Sequence, residues 1–419
     1  MLVGHFTERP WQDPKTGLMG SNQVDLKTSN SLYDPEVGAQ LYNRYLDEKV
    51  YGEEVGFDAL MMNEHHSTPF CMGGVVNTEA FILTRILKKA KIILLGNVLP
   101  LWEDPLWLAE ALAMADMISG GRMVTGWVRG GGRESVSHNA PPTINRERFE
   151  EAHQFIVKAW TTPGPWRWEG KHFQYRYVNP WARPLQQPHP QIWIPSTVSV
   201  ETVKWCARNH LPVVLLATKL EPTKDSFQLY HDTAAEEGYT SGTQNIAYLF
   251  KVHADETEEL GEQAGRRYLS GVSNPFLEGN EGTINQALLQ LPGHTSRTSQ
   301  KLAATAFGPA GRFGANRRSY EAQAQDLTII SGTPKTVIPK VRHVLEFLRP
   351  GSIFFWDGDG SMTHDDQMRS MRLMGQEVIP AAREIGKELG LKSSFEVTDG
   401  TGYDQAAWKA SQAKQAAKV

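Results

Sequence analysis

A closed (β/α)8 barrel of the α/β class, a TIM barrel with insertions, is the fold this sequence predicts. Eight short apolar runs alternate with eight helical patterns, the rhythm of strand-helix units laid into a parallel sheet. The 419 residues, 40% of them hydrophobic, suit one large unit of that kind. No GxGxxG follows the first strand, where an open dinucleotide-binding sheet carries its phosphate turn.

In chain order the strands are expected at 2–6, 59–62, 92–98, 123–127, 192–195, 212–216, 246–252 and 352–356. Helical patterns follow them at 38–54, 78–89, 105–118, 146–160, 200–209, 222–237, 256–269 and 364–389. Asp104-Pro105 sets a capping side chain before a first-turn proline, Glu221-Pro222 is a weaker start, and Gly120-Gly121 closes the third helix. Two stretches break the rhythm. Residues 163–190, with their prolines and aromatic run FQYRY, predict a hairpin or irregular excursion. Residues 270–325 form the longest insertion, after the seventh strand-helix unit, and are expected to be a lid, followed by an extra helix at 335–348. One domain is therefore expected over 1–390, with a C-terminal tail or arm at 391–419.

The formal net charge of -4 and pI near 6.4 point away from a nucleic-acid groove or a basic membrane face. Cys71 and Cys206 stand far apart without CxxC or Cys/His ligand spacing, so neither a disulfide framework nor a structural zinc is expected. The opening MLVGHFTERPWQDP is interrupted by His5 and then by charge and proline, unlike a signal-peptide core, and no run approaches the roughly 20 apolar residues of a span. A soluble cytoplasmic protein acting on a small organic molecule is the expectation.

In such a barrel the active site forms where strands end and loops begin. After the second strand comes Asn63-Glu64-His65-His66. Neighbouring residues on an extended segment face opposite ways, so one imidazole faces the mouth; a catalytic His65 outweighs a structural pair, and a metal site is the least favoured reading. After the third comes Gly96-Asn97, an amide that either reads a planar heterocycle or satisfies backbone in a turn. The fourth strand is followed by Arg129, three glycines and Arg133, where backbone can approach a ligand beside cations suited to phosphate; Arg146 opens the next helix and adds a second cation. After the fifth, Ser196-Thr197-Val198-Ser199 leads into a helix whose first N–H groups attract an anion, with plain capping by Ser199 a compatible reading. Asp357 and Asp359 after the eighth strand read as turn formers rather than catalytic acids. Phe6, Trp102, Trp127 and Trp356 are candidates for an apolar pocket or equally for core.

The order EHH, GNVLP with a following DP, GGRMVTGWVRG, IWIPSTVSVETVKWCAR, SGTPKTV and MGQEVIPAAREI resembles the flavin-dependent monooxygenases of the bacterial luciferase-like family. The resemblance implies FMN over the barrel mouth with its phosphate among the loops of the fourth and fifth strands. It implies a two-component monooxygenase: a separate NAD(P)H:flavin reductase supplies FMNH2, and O2 is activated as a flavin C4a-(hydro)peroxide for hydroxylation or Baeyer-Villiger oxidation of a small organic substrate. His65 matches the catalytic histidine. Asn97 matches a ring contact, Arg129 and Arg146 match phosphate arginines, and Ser196, Thr197, Val198 and Ser199 match the phosphate loop; a homodimer is common in the family. Val128 stands where bacterial luciferase has a reactive cysteine, which puts light emission in doubt. The alternatives are a deazaflavin-dependent hydride-transfer enzyme on the same barrel and a non-catalytic flavin-binding protein.

Overall fold

The apolar runs become eight parallel strands: β1 Leu2–Phe6, β2 Ala59–Met62, β3 Lys91–Leu94, β4 Met123–Val128, β5 Gln191–Ser196, β6 Val213–Leu216, β7 Ile246–Ala254 and β8 Ser352–Trp356. Each pairs with the next, and β8 pairs with β1 in the register Leu2 opposite Ser352 through Phe6 opposite Trp356, so the sheet closes and leaves no edge in the ring. The computed structural model describes residues 1–19, 28–197, 199–216, 218–268, 298, 301 and 319–397.

Period-two alternation sorts the strand residues. Leu2, Phe6, Met61, Ile93, Val124, Trp193, Val214, Leu249, Phe354 and Trp356 fill the interior, while Val3, Leu60, Met62, Ile92, Met123, Ile194, Val213 and Ile353 pack outward against helices. Both faces are buried, which is why the strands read as nearly continuous apolar runs. Gly4 is forced by this filling: a Cβ there would lie 2.4 Å from the Phe354 ring.

The outer ring is α1 Pro35–Glu54, α2 Val76–Ile86, α3 Pro105–Ser119, α4 Asn145–Thr161, α5 Val200–Arg208, α6 Leu220–Glu236, α7 Pro334–Leu348, and α8, His364–Leu373, which runs through a π turn, Met374–Val378, into Ile379–Glu388. The start of α3 matches its sequence signal: Asp104 Oδ1 accepts from the N–H groups of Leu106 at 3.0 Å and Trp107 at 3.2 Å, Pro105 is the first helical residue, and Gly120 ends the helix at φ 69°. The weaker start at α6 has no side-chain cap.

One helix expectation is corrected. The segment at 335–348, expected as an extra helix, is the seventh ring helix α7, packed between α6 and α8. The segment expected at 256–269 is a helix, Glu258–Arg267, packed instead on a short strand, Ile329–Gly332, that pairs with the end of β7. The reason is buried area: α7 presents Val337, Val341, Val344, Leu345 and Leu348 inward, whereas Glu258–Arg267 buries only Gly261, Ala264 and Gly265.

Residues 163–190 contain the hairpin Trp166–Glu169 with Gln174–Val178. The expected strand 92–98 is interrupted after Leu94 at Gly96, φ 150°, and resumes as Asn97–Val98 beside Trp127 and Val128. Most of the expected lid, 270–297, 299–300 and 302–318, lies outside the described residues, as does the tail from 398. The described start of the tail, Ser394–Val397, is docked across the N-terminal end of the barrel. There Ser394 donates to Gln191 Oε1 at 2.7 Å, Phe395 packs on the interior beside Trp193, and Lys91 lies 4.5 Å over the Phe395 ring. Among the described residues no helix is long and apolar enough to cross a membrane.

Candidate active site

Two clusters of polar side chains occupy the C-terminal rim, and each is assembled from several strand ends. The first is built around His65, which follows β2. Its Nδ1 lies 2.8 Å from Glu134 Oε1, on the short helix Gly132–Ser137 after β4, and its Nε2 lies 3.7 Å from Glu8 Oε2, after β1. The same Glu8 oxygen accepts from the Asn63 amide, and the Glu8 backbone N–H donates to Asp359 Oδ1 at 2.9 Å. Asp359 comes from the loop after β8 and also accepts from the Trp356 indole. Lys251 of β7 lies over the rings of Trp356 at 5.3 Å and Tyr268 at 5.4 Å. Burial, with Glu8's charge second, pushes the Asp359 carboxyl up to about 7, and burial pulls the Lys251 amine down. A buried acid-base cluster thus backs the half-buried imidazole.

Backbone and helix contacts hold this cluster in place. Arg9 adopts φ 56°, outside the usual range for its type, and turns its buried guanidinium onto the Asn63 carbonyl and onto Glu79 Oε2 of α2 at 2.9 Å. Glu64 Oε1 accepts from the Val98 N–H at 3.0 Å, and His66 packs edge-on to His138 with ring centres 4.1 Å apart. The two adjacent histidines therefore face different ways, as extended backbone requires.

The second cluster is cationic. Arg129 follows β4 and Arg146 stands in the first turn of α4; burial, and next the charge of Arg146, pull the Arg129 guanidinium down to about 10, with Glu201 opposing. Arg146 reaches across to the Thr202 hydroxyl at 3.4 Å, at the N-terminus of α5. Ser199 caps that helix, accepting from the Thr202 N–H at 3.3 Å and the Thr202 hydroxyl at 3.0 Å. Ser196, the last residue of β5, holds a buried hydroxyl without a hydrogen-bond partner among the described residues. Two crowded guanidiniums and a helix N-terminus raise the local positive potential, and an anion would relieve it.

A profile of the luciferase-like monooxygenase family matches residues 26–348. The chain belongs to that family. It is accordingly an enzyme, a monooxygenase. Among similar proteins is the oxygenase component of a flavin-dependent trigonelline monooxygenase from Acinetobacter baylyi, 24% identical over 84% of this chain and 92% of its own length. An alkanal monooxygenase alpha chain of Photobacterium leiognathi is 26% identical over 58% of this chain and 70% of its own. Among solved structures, the oxygenating constituent of the Pseudomonas putida 3,6-diketocamphane monooxygenase, a type II Baeyer-Villiger enzyme in complex with FMN, superposes with a TM-score of 0.66 over 91% of this chain and 99% of its own at 18% identity. An F420-dependent secondary alcohol dehydrogenase shares the fold at a TM-score of 0.61 and 13% identity, covering 91% and 99%.

In this luciferase-like monooxygenase the structure gathers His65 at one part of the rim and Arg129, Arg146 and Ser199 at another; Ser196 and Thr197 lead into the latter, and Val198 lies outside the described residues. Asn97 joins neither cluster. Its register opposite Trp127 turns it toward the helix layer, where it is fully buried and its Oδ1 accepts from Asn77 of α2 at 3.0 Å. Trp127 likewise packs outward, donating to His153 at 3.2 Å, and Trp102 lies against the outer core, whereas Phe6 and Trp356 meet edge to face inside the barrel. Asp357 and Asp359 do more than form a turn: Asp357 holds His253, and Asp359 joins the His65 cluster. Glu8, Glu134 and Lys251 were not anticipated. Glu8 directly follows a strand, the signal that marked His65; Glu134 and Lys251 carried none, since one hides in a glycine-rich loop and the other in an apolar strand.

Proposed function

We propose that this luciferase-like monooxygenase is the oxygenase of a two-component system, taking FMNH2 from a separate NAD(P)H:flavin reductase and using O2 to oxygenate a small organic substrate by hydroxylation or Baeyer-Villiger oxidation. The observation that carries the reading is the meeting of Arg129, Arg146 and the α5 N-terminus on the rim that also holds His65. Those groups fit a phosphate monoester, and the unpartnered Ser196 hydroxyl supplies a further donor at that strand end. The oxygenase component named among the relatives supports the separate reductase, and the FMN-bound structural relative supports FMN.

In this reading a bound reduced flavin supplies the two electrons that activate O2. Arg129, Arg146, Thr197, Ser199 and the α5 N–H groups hold its phosphate. His65 takes and returns a proton at Nε2. Phe6 and Trp356 floor the mouth with apolar surface and keep water out, which slows wasteful release of H2O2. The experiment is O2 uptake with chemically reduced FMN across ketones, aromatics and aldehydes. Substrate-dependent uptake with an oxygenated product supports the proposal; turnover with a reduced deazaflavin and no O2 uptake would replace it with hydride transfer.

A homodimer is part of the same proposal. On the neighbouring helices α2 and α3, Ile82, Ile86, Trp107, Met114, Met117 and Ile118 are all exposed, an apolar face that a second copy would cover. Light scattering should give twice the 46.9 kDa chain mass, and Trp107→Lys with Met114→Glu should shift it to the monomer.

A further inference from the structure

We propose that Glu134 is the positioning residue of His65: it fixes the imidazole proton on Nδ1 and so makes Nε2, on the Glu8 side, the nitrogen that exchanges protons with a bound reactant. The proposal rests on the reading above in one respect, that His65 handles protons.

Glu134 is nearly inaccessible, and its two oxygens have separate duties. Oε2 accepts from the Gly131 N–H at 3.0 Å, which caps the short helix; Oε1 faces His65 Nδ1 at 2.8 Å. An ionised carboxylate only accepts, so Nδ1 carries the hydrogen in that contact and the Nε2 lone pair is exposed. At 3.7 Å, Nε2 and Glu8 Oε2 are beyond hydrogen-bond length, so among the described residues that lone pair is not spent. When Nε2 takes a proton from a donor, the donor loses it, His65 gains one positive charge, and no electrons move. The resulting cation lies between Glu134 and Glu8, the arrangement that steadies the imidazolium of a Ser-His-Asp triad. The Phe70 ring packs 5.3 Å from the imidazole; behind Glu8 lie Asp359 and Lys251, Arg9 holds the Asn63 carbonyl, and His66 and Glu64 face away toward His138.

Glu134→Gln separates orientation from folding. The Gly131 N–H still needs an acceptor, which the glutamine carbonyl supplies; its NH2 then faces Nδ1 and donates to it, so the ring must carry its hydrogen on Nε2. Protein labelled with 15N-histidine and free of cofactor reports this directly through the ring nitrogen shifts. The wild-type His65 is expected as the Nδ1–H tautomer and the variant as the Nε2–H tautomer. Turnover of the variant should fall about 10²-fold or more in kcat with KM and FMN affinity nearly unchanged, as when a triad's orienting carboxylate is lost. A wild-type His65 found as Nε2–H overturns the proposal even where the variant does not fold, and so does a variant that keeps Nδ1–H. If His65→Ala retains full turnover, the proton role of His65 itself fails; if His65→Ala is inactive while Glu134→Gln keeps Nδ1–H and full kcat, only the positioning role falls.

Discussion

His253 and His65 each stand between two acidic side chains near the C-terminal ends of the strands, yet the two sites differ in closure. At His253, Nδ1 lies 2.9 Å from Asp357 and Nε2 3.3 Å from Asp255, and the ring is fully buried. Tyr268 and Ser370 donate to Asp357, and Arg369 donates to Asp255, so every partner is itself engaged. Burial alone would pull this imidazole down, but the charge of Asp357 and the hydrogen bonds to both acids win and push it up to about 9. At His65 one nitrogen is bound at 2.8 Å and the other stops 3.7 Å short of its acid, with 23% of the side chain open to the rim. The same three groups make a clasp when both nitrogens are committed and a reactive centre when one is left over.

The largest effect should separate the two histidines. His65→Ala is expected to cost about 10² to 10⁴-fold in kcat while FMN affinity, followed by fluorescence quenching, stays within a few-fold. Coupled product formation at the wild-type rate would show that the open imidazole is idle.

Breaking the clasp should act on stability instead. His253→Asn leaves Asp357 and Asp255 buried without their cation, and about 3 kcal/mol or more should be lost from chemical denaturation curves. The pH dependence follows from the raised value. Below the unfolded pKa near 6.5 both states hold the proton and the contribution is complete; as pH rises toward 9 the folded state keeps a proton the unfolded state has lost, so stability falls by about 3 kcal/mol across that window. The asparagine variant should have a flatter stability profile between pH 6.5 and 9, and an equally steep profile would remove His253 as its source.

The smallest effect belongs to the cationic cluster. Arg146→Ala should weaken FMN binding about tenfold, the worth of one charge-assisted hydrogen bond, and should weaken riboflavin binding hardly at all because riboflavin lacks the phosphate. Equal loss for both ligands would place Arg146 away from the anion.

Most of the barrel was legible in the sequence because its strands are apolar on both faces and helices such as α1, α3, α5 and α8 start at a capping side chain. Strand 123–127 became Met123–Val128, and 192–195 became Gln191–Ser196. The seventh ring helix was not legible by position: two helical patterns follow β7, and only buried area tells the ring member from the one lying on Ile329–Gly332. In the site, rim residues that directly follow strands could be read. Asn97 could not, because Gly96 interrupts the strand and shifts which face the next residue takes. Glu134 and Lys251 were hidden because their importance comes from side chains distant in sequence: Glu134 meets His65 from 69 positions away, and Lys251 shares charge with Asp359 and Glu8 across the barrel.

The short helix Ser394–Val397, seated against Gln191, Trp193 and Lys91, ties the two ends of the described sequence together at the foot of the sheet. Phe395 lies on the apolar side chains that fill the barrel, so the base of that core is covered by a segment from the other end of the described sequence. Loosening that cover, for instance by Phe395→Ala, should lower the barrel's resistance to denaturant without touching a rim residue.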